Sequence, residues 1–232
     1  MEKPREEKLD LSVVMPCLNE EATVQQSVRD AMKFMENNSI NGEVIVVDNG
    51  SVDGSVKLAE AAGAKVILEK RRGYGRALRT GFLNAKGRVI IMGDCDTTYD
   101  FLHMEKMYQL LQSDSCDMVM GNRYAGGIER GAMPLAHRWG VRFLSFLGRK
   151  KFGVNIYDFH CGIRGFKRSA LDKLQLRTDG MEFATELIAE ASRKDLKIIE
   201  VPVPLRRCTL KRKSKLRTIR DGFRHLKYII QV

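Results

Sequence analysis

Asp94-Cys95-Asp96 places two carboxylates one residue apart, directly after the apolar run Gly87-Arg88-Val89-Ile90-Ile91-Met92-Gly93. Such a run reads as a buried strand, and two carboxylates at its end can converge on one divalent cation. A cation held there can neutralise a diphosphate, which points to chemistry on nucleotide-diphosphate compounds. Oxygen donors of this kind suit Mg2+ or Mn2+ rather than zinc. Alone the pattern is weak, because Asp-x-Asp also occurs in ordinary turns, so its weight depends on what the other elements bring beside it.

Those elements alternate. Leu11 to Pro16, Glu43 to Asp48, Lys65 to Leu68 and Arg88 to Met92 read as strands. Helices are expected over 20–36, 55–62 and 75–85, the first capped by Asn19. Strands apolar on both faces and alternating with helices predict an α/β fold with a mostly parallel sheet flanked by helices. Ligands of such sheets bind beyond the carboxyl ends of the strands. Pro16-Cys17-Leu18-Asn19-Glu20, Asp48 and Asp94-Cys95-Asp96 all lie at such ends, so topology predicts one shared crevice. Further on, a helix is expected over 101–112, a strand over 117–121 and a loop over 126–131. A helix over 134–151, a loop leading into a strand over 158–166, a helix over 183–194 and a strand over 197–203 follow.

Each motif also has a plain reading. Pro16 to Glu20 can cradle a base or ribose, or be a strand-to-helix turn. Asp48 to Gly54 can be an Asx-type turn, with Asp48 the better ligand by position. Arg71-Arg72-Gly73-Tyr74-Gly75-Arg76 before a helix suits phosphate binding at the helix N-terminus. The four histidines show no metal spacing and read as structural, with His160, close to Asp158, the one to test.

At 232 residues the chain has room for one substantial core with extensions. Five scattered cysteines without a Cys-x-x-Cys pair argue against a disulfide framework or structural zinc and fit a reducing compartment. The formal charge is +11, but ten bases against one acid between Arg206 and Lys227 put +9 in that segment. Anionic headgroups, phosphorylated substrates or nucleic acid are its candidate partners. A nucleic-acid role is not expected, since it leaves the strand-end carboxylates unexplained. The 134–151 helix interleaves Trp139, Phe143, Leu144, Phe146 and Leu147 with Arg and Lys, which suits a membrane interface or a core helix with a basic face. Neither a signal peptide nor an apolar run of membrane-spanning length is visible.

Taken together, Pro16 to Glu20, Val46 to Gly54, Gly73 to Leu78 and Gly93 to Asp96 resemble family 2 glycosyltransferases of the GT-A fold. Gly121 to Tyr124, Tyr157 to Phe166 and Gly180 to Phe183 resemble the polyprenyl-phosphate (dolichol-phosphate) mannose and glucose synthase branch. The resemblance spans roughly residues 10 to 220 and implies an inverting hexosyl transfer from a nucleotide-diphosphate sugar to a polyprenyl phosphate. Thr97 to Phe101 lies closer to the glucose-synthase side, which favours a UDP-sugar over GDP-mannose. A saccharide or protein acceptor is the alternative. By the resemblance, Asp94 and Asp96 hold Mg2+ or Mn2+, while Pro16, Asn19, Glu20, Asp48, Gly73 and Arg76 join Asp94 at the donor. Asp96, Arg123, Asp158 and Glu182 form the expected catalytic set, with Arg164 also near the sugar and acceptor. Arg123, Arg130, Arg206, Lys213 and Lys215 are the expected ligands of the acceptor phosphate. The chain departs from the family at Asn49, where many relatives carry Asp, and at Cys95, where Ala is common. The expected organisation is a flexible 1–10, a catalytic domain over 11–205 and a basic segment over 206–232. The expected location is cytoplasmic, peripheral on or anchored to the cytoplasmic face of a membrane.

Overall fold

The computed structural model describes residues 9–113, 115–208 and 218–232. Its centre is a seven-stranded sheet in the order β3-β2-β1-β4-β6-β5-β7. The strands are β1 (Leu11–Cys17), β2 (Gly42–Asp48), β3 (Lys65–Leu68), β4 (Val89–Met92), β5 (Met118–Asn122), β6 (Arg164–Lys167) and β7 (Ile198–Pro202). β1 to β4 are mutually parallel, as the apolar runs require. β6 runs antiparallel to both β4 and β5, while β5 and β7 are parallel. The mostly parallel sheet predicted from the alternating elements is present, with one reversed strand, β6, between β4 and β5.

Helices cover both faces and divide the core into two clusters. One face packs α1 (Val24–Asn37), α2 (Ser55–Ala61) and α4 (Glu105–Gln112) around Val13, Met15, Val44, Val46 and Ile91. The other packs α3 (Tyr74–Asn84) and α8 (Phe183–Arg193) around Val14, Ile45, Val47, Ile90 and Phe166. Gly81 brings α3 onto the sheet: any Cβ there would strike Val14. Short helices α5 (Arg123–Gly126) and α7 (Arg168–Leu171) follow β5 and β6. The long helix α6 (Leu135–Phe152) and the C-terminal helix α9 (Thr218–Gln231) pack against each other, and both touch α8.

Three expectations are corrected. Asn19 is not a helix cap, because α1 begins at Val24 after Thr23, whose side chain makes no capping bond. The expected 101–112 helix starts only at Glu105. The Asp100 carboxylate takes the Leu102 N–H at 3.1 Å and the His103 Nδ1 at 2.7 Å, which fixes a turn instead. The loop expected at 126–131 is shortened by α5, which Asn122 caps by accepting from the Ala125 N–H at 3.0 Å.

Candidate functional site

Loops after β1, β2 and β4 meet at the carboxyl edge of the sheet. The Asp48 carboxylate folds back to accept the N–H groups of Gly50 at 3.0 Å and Ser51 at 3.1 Å, an Asx-type turn. Asn19 sits at φ 50° and ties two loops together. Its N–H donates to Ser51 Oγ at 2.8 Å, and its Oδ1 accepts the Val52 N–H at 2.8 Å. The left-handed backbone there is tolerable for Asn because its side chain bonds locally. Buried Asn49 gives both amide protons to the carbonyls of Glu69 (2.9 Å) and Arg71 (2.8 Å), and its Oδ1 takes the Gly73 N–H at 2.7 Å. This explains the departure from the family: a carboxylate at 49 has no protons for those carbonyls. Arg76 pairs with Glu69 and Asp179, which ties α3 to the 179 loop.

The aspartates follow β4. Tyr74 donates its hydroxyl to Asp94 Oδ1 at 3.1 Å, and burial and the nearby Asp94 charge push its pKa well up, so the phenol remains a donor. Gly162 lies so close to Asp94 that a Cβ would collide with the carboxylate. Its N–H is held by the Tyr99 hydroxyl at 2.7 Å. Asp96 accepts the Thr98 N–H at 3.0 Å and the Thr98 hydroxyl, which fixes one of its oxygens. Among the described residues no third His, Cys, Asp or Glu joins them to complete a protein-only metal cage. Two carboxylates with the remaining positions left to phosphate and water fit Mg2+ or Mn2+.

A cavity of about 1000 Å3 runs from these aspartates towards α6 and α9. Of the residues singled out in the sequence, Pro16, Glu20, Gly73, Asp94, Asp96, Arg123 and Arg164 line it. Asn19, Asp48, Arg76, Arg130, Asp158, Glu182 and Arg206 are outside its described lining. Arg206 pairs with Asp100, and Arg130 is exposed in a turn. Lys213 and Lys215 lie outside the described residues. Asp158 is fully buried and clamps Arg123 with two bonds of 2.7 Å from Nε and Nη2, plus the Arg123 N–H at 3.0 Å. Glu182 stands behind Gly180, 3.6 Å from Arg224 Nε.

Arg164 is the largest buried polar group of the wall. Its guanidinium donates to the carbonyls of Cys161 (2.9 Å), Ala184 (2.6 Å) and Phe159 (2.8 Å), with no carboxylate in contact among the described residues. Burial pushes its pKa down, yet a guanidinium stays charged at neutral pH. A buried cation whose neighbours are carbonyl dipoles leaves the wall around it receptive to an anion. Arg207, Arg220 and Arg224 also line the cavity.

Three histidines also line the cavity, and of these the sequence had singled out only His160. His137, His160 and His225 come from α6, the loop before β6 and α9. The His160 and His225 rings meet edge-on at 4.2 Å, and Thr185 Oγ1 lies 2.8 Å from His225 Nδ1 and 3.4 Å from His160 Nε2. Burial and then Arg164 push His225 down to about 3, and burial and His225 push His160 well below its ordinary value. His160 stood out only by its closeness to Asp158; His137 and His225 lie 23 and 65 positions from it and show no metal spacing, so no local signal pointed to them.

The sequence profile of Glycosyl transferase family 2 matches residues 12–175. The chain is 38% identical over 221 residues, 95% of its length, to the Low-salt glycan biosynthesis hexosyltransferase Agl6 of Haloferax volcanii, and spans 53% of that protein. It is 32% identical over 201 residues to the Dolichyl-phosphate hexose transferase of the same organism, covering 85% of this chain and 83% of the other. Among solved structures it resembles glucosyl-3-phosphoglycerate synthase from Mycobacterium tuberculosis in complex with Mn2+, UDP-glucose and phosphoglyceric acid. That match has a TM-score of 0.73 at 25% identity and covers 96% of this chain and 79% of the other.

Proposed function

This chain belongs to glycosyl transferase family 2 and has its GT-A fold, and we propose that it transfers a hexose from a nucleotide-diphosphate sugar to a polyprenyl phosphate with inversion. A UDP-sugar is favoured over GDP-mannose as donor. The observation that carries this reading is one cavity lined both by the paired carboxylates Asp94 and Asp96 and by the buried Arg164, which has no carboxylate in contact among the described residues, together with Arg207, Arg220 and Arg224. Two anionic groups must approach each other in this reaction; the carboxylates would serve one through a metal ion, and the arginines the other.

In the proposed mechanism Pro16, Glu20 and Gly73 line the nucleoside end. Asn19, Asp48 and Asn49 hold the loops that form it. Asp94 and Asp96 would hold Mg2+ or Mn2+, which when bound supplies Lewis-acid stabilisation of the departing diphosphate. Tyr74 and Thr98 keep the two carboxylates aimed. The acceptor phosphate is already ionised at neutral pH and attacks without a strong general base. The arginines offset its repulsion from the donor and position it for attack opposite the leaving group. Asp158 acts by orienting Arg123, so it is a positioning residue rather than a base in this scheme.

The lipid part of the acceptor is supported by the outer face of α6 and α9. Leu135, Trp139, Phe143 and Phe146 are exposed along α6, and Ile219, Phe223 and Ile230 along α9. Lys150 lies 5.2 Å from the Phe146 ring centroid, and Arg142 4.9 Å from that of Tyr124. Aromatic groups rimmed by cations suit an anionic bilayer surface. No helix among the described residues is long and apolar enough to cross a membrane.

The test is a donor screen with UDP-glucose, other UDP-hexoses and GDP-mannose, in Mn2+ or Mg2+, offered a short polyprenyl phosphate, 3-phosphoglycerate or a free saccharide. A lipid-linked hexose detected by mass supports the reading. Product only on 3-phosphoglycerate or the saccharide overturns the acceptor, and absence of product with every pair overturns the reaction.

A further inference from the structure

Cys17 and Cys95 stand side by side at the carboxyl ends of β1 and β4. These strands are parallel neighbours with Val14 opposite Met92, and the Gly93 N–H extends the ladder to the Val14 carbonyl at 3.1 Å. Each cysteine lies three residues beyond that pair. Cys95 lies in the bend just past β4, with its Sγ against the carbonyl of Pro16, the residue before Cys17. The two thiols act on each other's ionisation, lowering Cys17 and raising Cys95, and Cys95 Sγ donates to the Pro16 carbonyl at 3.3 Å. Both side chains belong to the same core face, and both line the cavity. The proposed transfer makes no use of either sulfur, yet Cys95 sits between the two carboxylates of the metal site.

We propose that Cys17 and Cys95 are an oxidisable pair whose disulfide closes the donor site. Hydrogen peroxide, small enough to enter the cavity, is the oxidant. Two S–H bonds and the O–O bond break, one S–S bond and two O–H bonds form, and the peroxide leaves as two waters. Thiol reductants reverse the change by exchange. Closing the bridge releases Cys95 from Pro16 and draws the 94–96 backbone towards β1. Asp94 and Asp96 flank that residue, so their aim at a shared cation is lost. A transient bridge of this kind suits a protein of a reducing compartment better than a permanent one. The bond itself depends only on the geometry of the two thiols, whereas its effect on binding rests on the proposed donor site.

The experiment treats the reduced full chain with hydrogen peroxide, with and without Mn2+ and UDP. Peptide mapping then locates the cross-link, and titration calorimetry measures Mn2+–UDP binding. The expected result is loss of two hydrogens, a Cys17–Cys95 peptide pair, and Mn2+–UDP affinity lowered at least about tenfold and restored by dithiothreitol. Prior Mn2+ and UDP slow the reaction. Cys17→Ala and Cys95→Ala each remove the cross-link and the peroxide sensitivity of binding, while Cys116→Ala keeps both. A bridge from either residue to Cys208 or Cys161, or no bridge in excess peroxide, overturns the pair. A Cys17–Cys95 bridge that leaves binding unchanged overturns the switch alone. Reduced protein that binds no Mn2+–UDP overturns the donor-site reading and the switch together.

Discussion

At the scale of single residues, the polar groups of the site divide into those that face the cavity and those that build its walls. Asp94 and Asp96 face it, and each is aimed by a hydroxyl neighbour, Tyr74 or Thr98. Asp96→Ala is expected to cut turnover to below about 1% of wild type by removing a metal ligand, with the far-ultraviolet circular dichroism unchanged. Near-normal turnover in a folded variant defeats the metal assignment. Asp48, Asn19 and Asn49 instead spend their hydrogen bonds on the loops. Asn49→Asp strips two carbonyls of their donors and sets a charge against them, at a cost of about 1–3 kcal/mol in unfolding free energy, measured by urea denaturation. An unchanged midpoint shows that the 69–73 segment does not depend on that amide. Asp158 is read in the sequence as a site carboxylate, and its type and position allow it. Only the bidentate contact reveals that both its oxygens belong to Arg123.

At the scale of elements, α9 roofs one end of the cavity and seats a neutral histidine in it. His225 meets His160 and Thr185, with Arg164, His137 and Arg224 also acting on its charge. Its pKa falls from 6.5 in the open chain to about 3 in the fold. Above pH 6.5 both states are neutral and the docking energy is intact. As pH falls from 6.5 towards 3, the unfolded state takes up a proton that the folded state refuses, so stability drops by up to about 1.4 kcal/mol per pH unit. His160 acts in the same direction. Thermal melts between pH 7 and 5 should therefore show a steeper fall for wild type than for His225→Leu. Parallel curves for the two proteins contradict the buried-pair account. The sequence shows α9 as a basic stretch ending in a short apolar run. Its place against α6 and α8 depends on side chains such as Ile229 and His225, whose partners are distant in the chain.

At the scale of the whole molecule, basic charge is concentrated in the sequence between Arg206 and Lys227, and α6 and α9 carry most of the exposed large apolar side chains. Trp139→Glu with Phe143→Glu replaces exposed residues, so stability should move by no more than about 0.5 kcal/mol per substitution. Sedimentation with anionic phospholipid vesicles should nevertheless fall several-fold, and wild-type binding should weaken as salt rises. Equal sedimentation of both proteins removes the bilayer from the proposed partners. The alternation of apolar runs with helical segments was sufficient to determine the α/β class, the first four strands and the strand-end position of Asp94 and Asp96, because period and burial are local properties of the chain. The reversal of β6, the turn at Asp100, the closure of the cavity by α9 and the meeting of Cys17 with Cys95 were decided only in three dimensions. Each depends on contacts between residues far apart in sequence, and no local pattern of residue types encodes which distant partner a side chain will find.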